Sequence, residues 1–299
     1  MILQVVIPSF QLVDTKSIEL YTTGEENFGV IRSYLPADRL IYIMLLISIS
    51  SLVLNIKLIP QRLEMIRAVI LAAGLLLTFQ RNYFITFLAM IVLLGLLIRW
   101  PGKFHLLRLT TLAVVSVSLA LIFHVDPIDR YITAASDRLL REMQPQFLEQ
   151  DGSTQWRVIE TGYAIQSILD HPLLGIGLGN FYRPALVRDA ELGGTGGIRW
   201  YNHNAYLWVL IDMGVVGFIP FVLLYALAIA RGLKYWRRIP DQGLSVVLLG
   251  GTLGIFGQAI GNIVAPNFFQ SWMVFIFVAI IAVNELIIKW EVPPAQVVE

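Results

Sequence analysis

Apolar residues along this chain fall into long runs that are separated by short polar stretches. Seven runs are long enough, or nearly so, to cross the apolar core of a bilayer, which is about 30 Å thick, as helices. They occupy residues 40–56, 66–80, 82–98, 107–124, 204–230, 244–264 and 268–288. The pattern therefore predicts an all-α polytopic membrane protein with about seven transmembrane helices.

Basic residues beside these runs predict their orientation, because cytoplasmic loops carry an excess of Lys and Arg. Only Gln80-Arg81-Asn82 separates the second and third runs, and basic residues flank this pair on both sides. Two spans place both basic groups in the cytoplasm, whereas one broken span does not. The flanking residues are Lys57, Arg62, Arg67, Arg99, Lys103 and Arg108, and a further basic stretch lies at 231–238.

The resulting topology divides the chain into five parts. We expect an external N-terminal segment at 1–38, four spans at 39–124 with a short hairpin around Arg81, and a large external loop at 125–203. Three spans at 204–289 and a cytoplasmic tail at 290–299 follow.

Composition agrees with this class and excludes others. Hydrophobic residues make up 57% of the chain and charged residues 14%, and the mean hydropathy is +0.70, well outside the usual range of soluble domains. The absence of cysteine excludes disulfides and thiolate chemistry. A net charge of +1, and basic residues that form no stripe or cluster of the kind that tracks a phosphate backbone, argue against a nucleic-acid partner.

The external loop contains seven arginines and no lysine. A guanidinium group binds phosphate through two parallel hydrogen bonds, so this bias suits a phosphorylated ligand. The alternative is that the arginines pair with acidic residues of the loop, as Arg157 and Glu160 could at i, i+3. Arg81 lies between two apolar runs at the outer side, where it is either a functional residue or one that snorkels to lipid headgroups.

Two stretches of the loop predict local structure. "STQWRVIETGYAIQSILDHP" predicts a helix with Ser153 as its N-cap and Pro172 at its end. In "HPLLGIGLGNFYR" the glycines at 175, 177 and 179 lack the spacing of a phosphate-binding fingerprint and predict a chain turn. We expect His171 to be a helix-end residue, with contact to substrate as the alternative.

The stretch "RWYNHNAYLWVLIDMGVVG" places polar residues at the mouth of the fifth run. On a continuous helix, Gly214 and Gly217 lie within about 40° of His203 around the axis. His203 would therefore top a glycine-lined face, and Asp212 on the opposite side would pair with another span. The alternative for His203 is a hydrogen-bonded structural residue.

Residues 203–217 contain His-Asn, nine residues, Gly, two residues and Gly, with an acid two places before the first glycine. Together with "HPLLGIGLGNF", this pattern resembles the bacterial superfamily of O-antigen ligases, polysaccharide polymerases and O-oligosaccharyltransferases. The resemblance covers about residues 30–285 and corresponds to the C-terminal portion of such proteins. It implies a GT-C-like membrane protein of the bacterial inner membrane with its active site facing the periplasm.

The resemblance also implies an activity. Members of the family transfer a glycan from an undecaprenyl-diphosphate carrier to a hydroxyl acceptor, which is lipid A core, a glycan or a protein, without a metal or other cofactor. Carried over residue by residue, the resemblance implies a catalytic role for His203 and binding of the diphosphate by Arg81 and Arg157. We further expect Asn204 to be catalytic, Arg183 and Arg199 to bind substrate, and Asp212, Gly214 and Gly217 to be structural. The chain departs from the family at Gln80-Arg81-Asn82, where Ser-Arg-Gly is common.

Two other functions remain open at this point. In a transporter or flippase of lipid-linked glycans, the loop arginines would hold the diphosphate and Asp212, Asn262 or Glu285 would line a pathway. Transporters often have two related halves, and the sequence has no such internal repeat. An inactive truncated homologue is the other alternative.

Overall fold

The computed structural model describes residues 38–78, 80–122, 152–186, 198–266 and 271–292. All regular structure within these ranges is helical, which confirms the all-α prediction for this part of the chain. The helices are α1 (Asp38–Leu54), α2 (Gln61–Leu77), α3 (Arg81–Leu97), α4 (Gly102–Ile122), α5 (Gly152–Asp170), α6 (Ala205–Tyr235), α7 (Gln242–Gly261) and α8 (Ser271–Glu291), and a 3₁₀ turn at Trp236–Arg238 follows α6.

Each of the seven apolar runs coincides with a helix. α2 ends at Leu77 and α3 begins at Arg81, so the second and third runs form two helices, as the charge pattern predicts. In the described part of the chain, two helices are long and apolar enough to cross a membrane: Ala205–Arg238 and Gln242–Gly261. Seven spans and a GT-C-like topology stay predictions.

α7 lies at the centre of the helix assembly and packs closely against α1. Glycines make this approach possible, because a Cβ on Gly250 would lie 2.5 Å from Cα of Ile47, and one on Gly254 would lie 2.7 Å from the side chain of Ile43. Side chains of α1 and α7 supply much of the main buried core. The two helices therefore form a close-packed scaffold.

α6 breaks at Gly214, whose φ of 59° and ψ of −165° are not helical. The positive φ is readily adopted only by glycine. The continuous helix that the sequence predicts through this region is therefore wrong, and α6 consists of a first segment at 205–213 and a second segment at 215–235. The helical-wheel angles that place Gly214 and Gly217 beneath His203 do not apply across this break.

The two segments of α6 fold back on each other. The rings of Tyr206 and Phe221 are 6.0 Å apart, whereas a straight helix would separate these residues by about 22 Å. Asn262, at the end of α7, contacts both segments: its carbonyl oxygen accepts from the Ala205 amide, and its Nδ2 donates to the Tyr225 hydroxyl, each at 2.8 Å. The start of α6 thus lies beside the end of α7.

Residues 171–177, which we call the glycine segment, cap both helix ends at the break in α6. A helix end leaves amide and carbonyl groups without intrahelical partners, and here another stretch of main chain satisfies them. The bonds run from Ile176 N to Ile211 O (2.8 Å), Gly177 N to Asp212 O (3.0 Å), Val215 N to Pro172 O (2.9 Å) and Val216 N to Leu173 O (3.2 Å). The predicted turn is confirmed, with positive φ at Gly175, Gly177 and Gly179.

Gly175 is expected to be the most sensitive position of the glycine segment. Its φ is +68°, and an added Cβ would lie 2.4 Å from the Ile211 carbonyl oxygen; Gly179 has φ +77° but open space around it. Gly179→Ala should cost about 1 to 2 kcal/mol from backbone strain, and Gly175→Ala about 1 to 3 kcal/mol more from the clash. Thermal unfolding of both variants in the same detergent measures the difference in stability. Equal melting temperatures would contradict the close contact between Gly175 and α6.

Candidate functional site

α5 packs along the first segment of α6, and the two helices run in the same direction. The predicted helix at 153–172 is confirmed, although Ser153 lies inside α5 rather than capping it, and His171 follows the helix end as predicted. Ala164 of α5 and Ile211 of α6 are both fully buried in the seam. The glycine segment closes this seam at one end, and the polar residues described next lie toward the other end.

The side chains of His203 and Glu160 are within hydrogen-bond distance of each other at that other end. Nδ1 of His203 lies 2.7 Å from Oε2 of Glu160, and the side chains are 22% and 1% exposed, respectively. A buried carboxylate accepts hydrogen bonds, so an ionised Glu160 selects the tautomer with the proton on Nδ1. That tautomer leaves Nε2 as the basic nitrogen of a partly exposed ring.

A second contact fixes the Glu160 carboxylate from behind. Nε1 of Trp156, one turn earlier on α5, donates to Oε1 of Glu160 at 2.7 Å. The guanidinium carbon of Arg183 lies 4.7 Å from the centroid of the Trp156 ring. Arg183 is itself only 3% exposed. The structure therefore places Arg183 behind the Trp156–Glu160 pair, and not on the open surface where its predicted substrate contact would occur.

His203 lies in a turn that precedes α6. Asn204 is the N-cap, and its Oδ1 accepts from the amides of Tyr206 and Leu207 at 2.9 and 3.2 Å. Asn202 is buried, and its Oδ1 accepts from the Asn204 amide at 2.8 Å. The side chain of Asn204, expected to be catalytic, thus holds the turn that presents His203.

Tyr182, five residues after the glycine segment, connects this turn to the chain that follows that segment. Its hydroxyl donates to the Tyr201 carbonyl oxygen at 3.1 Å and accepts from Asn202 Nδ2 at 3.3 Å. Burial, followed by the negative charge of Glu160, raises the pKa of the Tyr182 hydroxyl well above its ordinary value. Tyr182 therefore remains a protonated donor throughout the physiological pH range.

The residues around Arg81 form a separate corner between α1 and α3. The side chain of Arg81 lies outside the described residues, but its backbone begins α3. Gln80 is buried and its Nε2 donates to Asp38 at 2.9 Å, and Asp38 pairs with Arg39 at 2.9 Å. The departure from Ser-Arg-Gly therefore supplies a side chain that ties this corner to the start of α1.

The remaining predicted site residues differ in their surroundings. Arg157 on α5 is partly buried, and Arg199 places its guanidinium carbon 3.8 Å from the Phe181 ring centroid. Asp212 is buried, but no ion pair with another helix is present among the described residues. An added Cβ on Gly217 would lie 2.3 Å from the Cβ of Met213, which ends the first segment of α6.

Glu160 is the residue that the sequence did not single out. Its spacing from Arg157 suggested a solvated i, i+3 pair, whereas its oxygens contact Trp156 and His203. The spacing of four residues between Trp156 and Glu160 on a weakly charged helix was the local pattern that indicated a contact between their side chains. Glu160 and His203 are 43 residues apart in the chain, so no local pattern of the sequence predicts their contact.

Within the described ranges, no group of three or more His, Cys, Asp or Glu residues could hold a metal ion. A family model described as O-antigen ligase matches residues 66–222, just over half of the 299 residues. No curated protein matches the chain. The matched range contains Arg81, α5, the glycine segment, the His203 turn and the break in α6.

Proposed function

Because the chain belongs to the O-antigen ligase family, we propose that it transfers a glycan from an undecaprenyl-diphosphate carrier to a hydroxyl acceptor. The family establishes ligase- or polymerase-type glycan transfer in general. The diphosphate donor, the periplasmic site and a multi-pass location in the bacterial inner membrane belong to the proposal. Lipid A core, a growing glycan and a protein are the acceptor classes that this chemistry accommodates.

The contact between His203 and Glu160 carries the proposal. A general base must be partly accessible, correctly oriented and held in the tautomer that leaves a free basic nitrogen. The 22% exposed ring of His203 meets this requirement, with Nδ1 engaged by a carboxylate that is 1% exposed. Nε2 is thus the atom that takes the proton from the acceptor hydroxyl, and Glu160 stabilises the imidazolium that forms.

The bond changes balance without a further reactant. The acceptor oxygen bonds to the anomeric carbon of the donor glycan as the bond from that carbon to the diphosphate oxygen breaks. The proton of the hydroxyl passes to His203, and the electron pair leaves with undecaprenyl diphosphate. Attack opposite the leaving group inverts the anomeric centre.

Negative charge grows on the diphosphate during this step, and positively charged donors should stabilise it. Arg81 at the start of α3 and Arg157 on α5 are our proposed ligands, because two guanidinium groups can cover the oxygens of one diphosphate. Arg199, four residues before His203, is a further candidate ligand of the diphosphate. Arg183 has a supporting role in this scheme, since it is buried against Trp156.

A defined reconstitution tests the proposal. The purified protein in liposomes is incubated with lipid-linked oligosaccharide and each acceptor class, and both glycosylated acceptor and free undecaprenyl diphosphate are quantified. We expect the two products in equal amounts with one acceptor class. Movement of the donor between leaflets without a new glycosidic bond would instead support the flippase alternative, and no reaction with any acceptor would support an inactive homologue.

A further inference from the structure

A cavity of about 450 Å³ lies at the end of the helix assembly opposite to His203. The start of α7 lines it through Gln242 and Ser245, whereas the other end of α7 contacts the start of α6 through Asn262. The length of α7 therefore separates the cavity from the candidate site by about 25 to 30 Å. The end of α1, the α3–α4 connection and the 3₁₀ turn after α6 complete the wall.

The lining of the cavity is basic. It contains Arg99, His105 and Arg237 and no Asp or Glu. A guanidinium nitrogen of Arg237 donates to the carbonyl oxygen of Leu97, the last residue of α3. Because Leu97 is two residues before Arg99, this bond places the two arginines on the same part of the wall.

These charges differ from that of Arg231, a nearby basic residue that already has an acidic partner. Arg231, earlier on α6, is paired with Glu285 of α8 through both carboxylate oxygens at 2.9 Å. In the described part of the chain, neither Arg99 nor Arg237 forms an ion pair with a carboxylate. The cavity therefore has a positive charge that a bound anion would neutralise.

The apolar part of the lining indicates what kind of anion fits. Trp100, Trp236 and aliphatic residues at the end of α1 line the cavity together with the arginines. Tryptophan is enriched at membrane–water interfaces, where its ring contacts the apolar side and its N–H the polar side. The size lies within the range of about 300 to 1,000 Å³ that is common for small-molecule sites.

We propose that this cavity binds the phosphate headgroup of an anionic phospholipid of the cytoplasmic leaflet. Basic pockets between helix ends on this side of a membrane suit such headgroups. Arg99 and Arg237 hold the phosphate, and the tryptophans contact the glycerol and the upper acyl chains. The inference rests on the proposed membrane location and orientation, and it is independent of the transferase activity.

Lipid binding to the purified full-length protein tests the inference. Native mass spectrometry counts retained phosphatidylglycerol, and thermal unfolding in detergent is followed during titration with phosphatidylglycerol, phosphatidylcholine or inorganic phosphate. Each arginine near a lipid headgroup contributes about 1 kcal/mol, or about fivefold in affinity. Arg99→Gln should weaken phosphatidylglycerol binding by about fivefold, and the double variant with Arg237→Gln by more.

Arg62→Gln is the matched control, because Arg62 is exposed on the same predicted side but does not line the cavity. Unchanged binding in Arg99→Gln, or an equal loss in Arg62→Gln, would overturn the site. Stabilisation by inorganic phosphate but not by phosphatidylglycerol would overturn the lipid as ligand. Glycan transfer is measured on the same preparations, so failure of lipid binding and failure of the proposed activity are separate results.

Discussion

His203→Ala is expected to lower turnover by about 10²- to 10⁴-fold while binding of the lipid-linked donor is retained. General base catalysis typically supplies a factor of this size, and the imidazole is placed to accept a proton from the acceptor, not to hold the diphosphate. Turnover, donor binding and protein yield are measured on one preparation.

A purely structural His203 would give a different result. Loss of its contact with Glu160 would then reduce folding and membrane yield in proportion to activity, since a buried carboxylate without its partner is destabilising. A suitable control is His171→Ala, because His171 is exposed at the end of α5 and far along the helix from Glu160. Full activity in His203→Ala at normal yield would remove the general base from the mechanism.

Glu160→Gln should lower turnover by about 10²-fold or more with little change in donor affinity. An amide cannot supply the negative charge that stabilises an imidazolium, and it does not enforce the Nδ1-protonated tautomer; the loss of such a carboxylate is costly in other histidine-dependent enzymes. Asp170→Asn removes an exposed carboxylate of the same helix and should leave turnover unchanged. The measurement is kcat and the donor KM for both variants.

A double-variant cycle distinguishes positioning from general stabilisation. If Glu160 acts through His203, the combination of Glu160→Gln and His203→Ala should be no slower than His203→Ala alone. Additive losses would show that Glu160 acts elsewhere. A fall in the melting temperature of Glu160→Gln that matches the loss of activity would likewise contradict a positioning role.

The helices could be predicted from the sequence because each apolar run has a length and flanking charges that are local properties. The separation of α2 from α3 followed from basic residues on both sides of the pair, and the turn at 175–179 followed from glycine spacing. These features depend on neighbouring residues. Most helix boundaries in the structure therefore lie within a few residues of the predicted ones.

The fold-back of α6 and the role of Glu160 could not be predicted in the same way. The run at 204–230 is uniformly apolar, so hydropathy alone indicates one helix, and Gly214 resembles the other glycines of that run. Its break is stabilised by four main-chain bonds to residues about 40 positions earlier. Likewise, Arg183 could not be recognised as buried until Trp156 was known to lie over it.

The joint between the glycine segment and α6 also determines how α5 can move. Four main-chain bonds fix one end of the helix pair, whereas the other end is held by side chains, among them the contact between Glu160 and His203. A rocking motion of α5 that pivots at the joint would displace Glu160, which lies about 15 Å along the helix from it. A tilt of α5 by about 4° would move the Glu160 carboxylate by about 1 Å, so the contact between Glu160 and His203 depends on how firmly the joint holds α5.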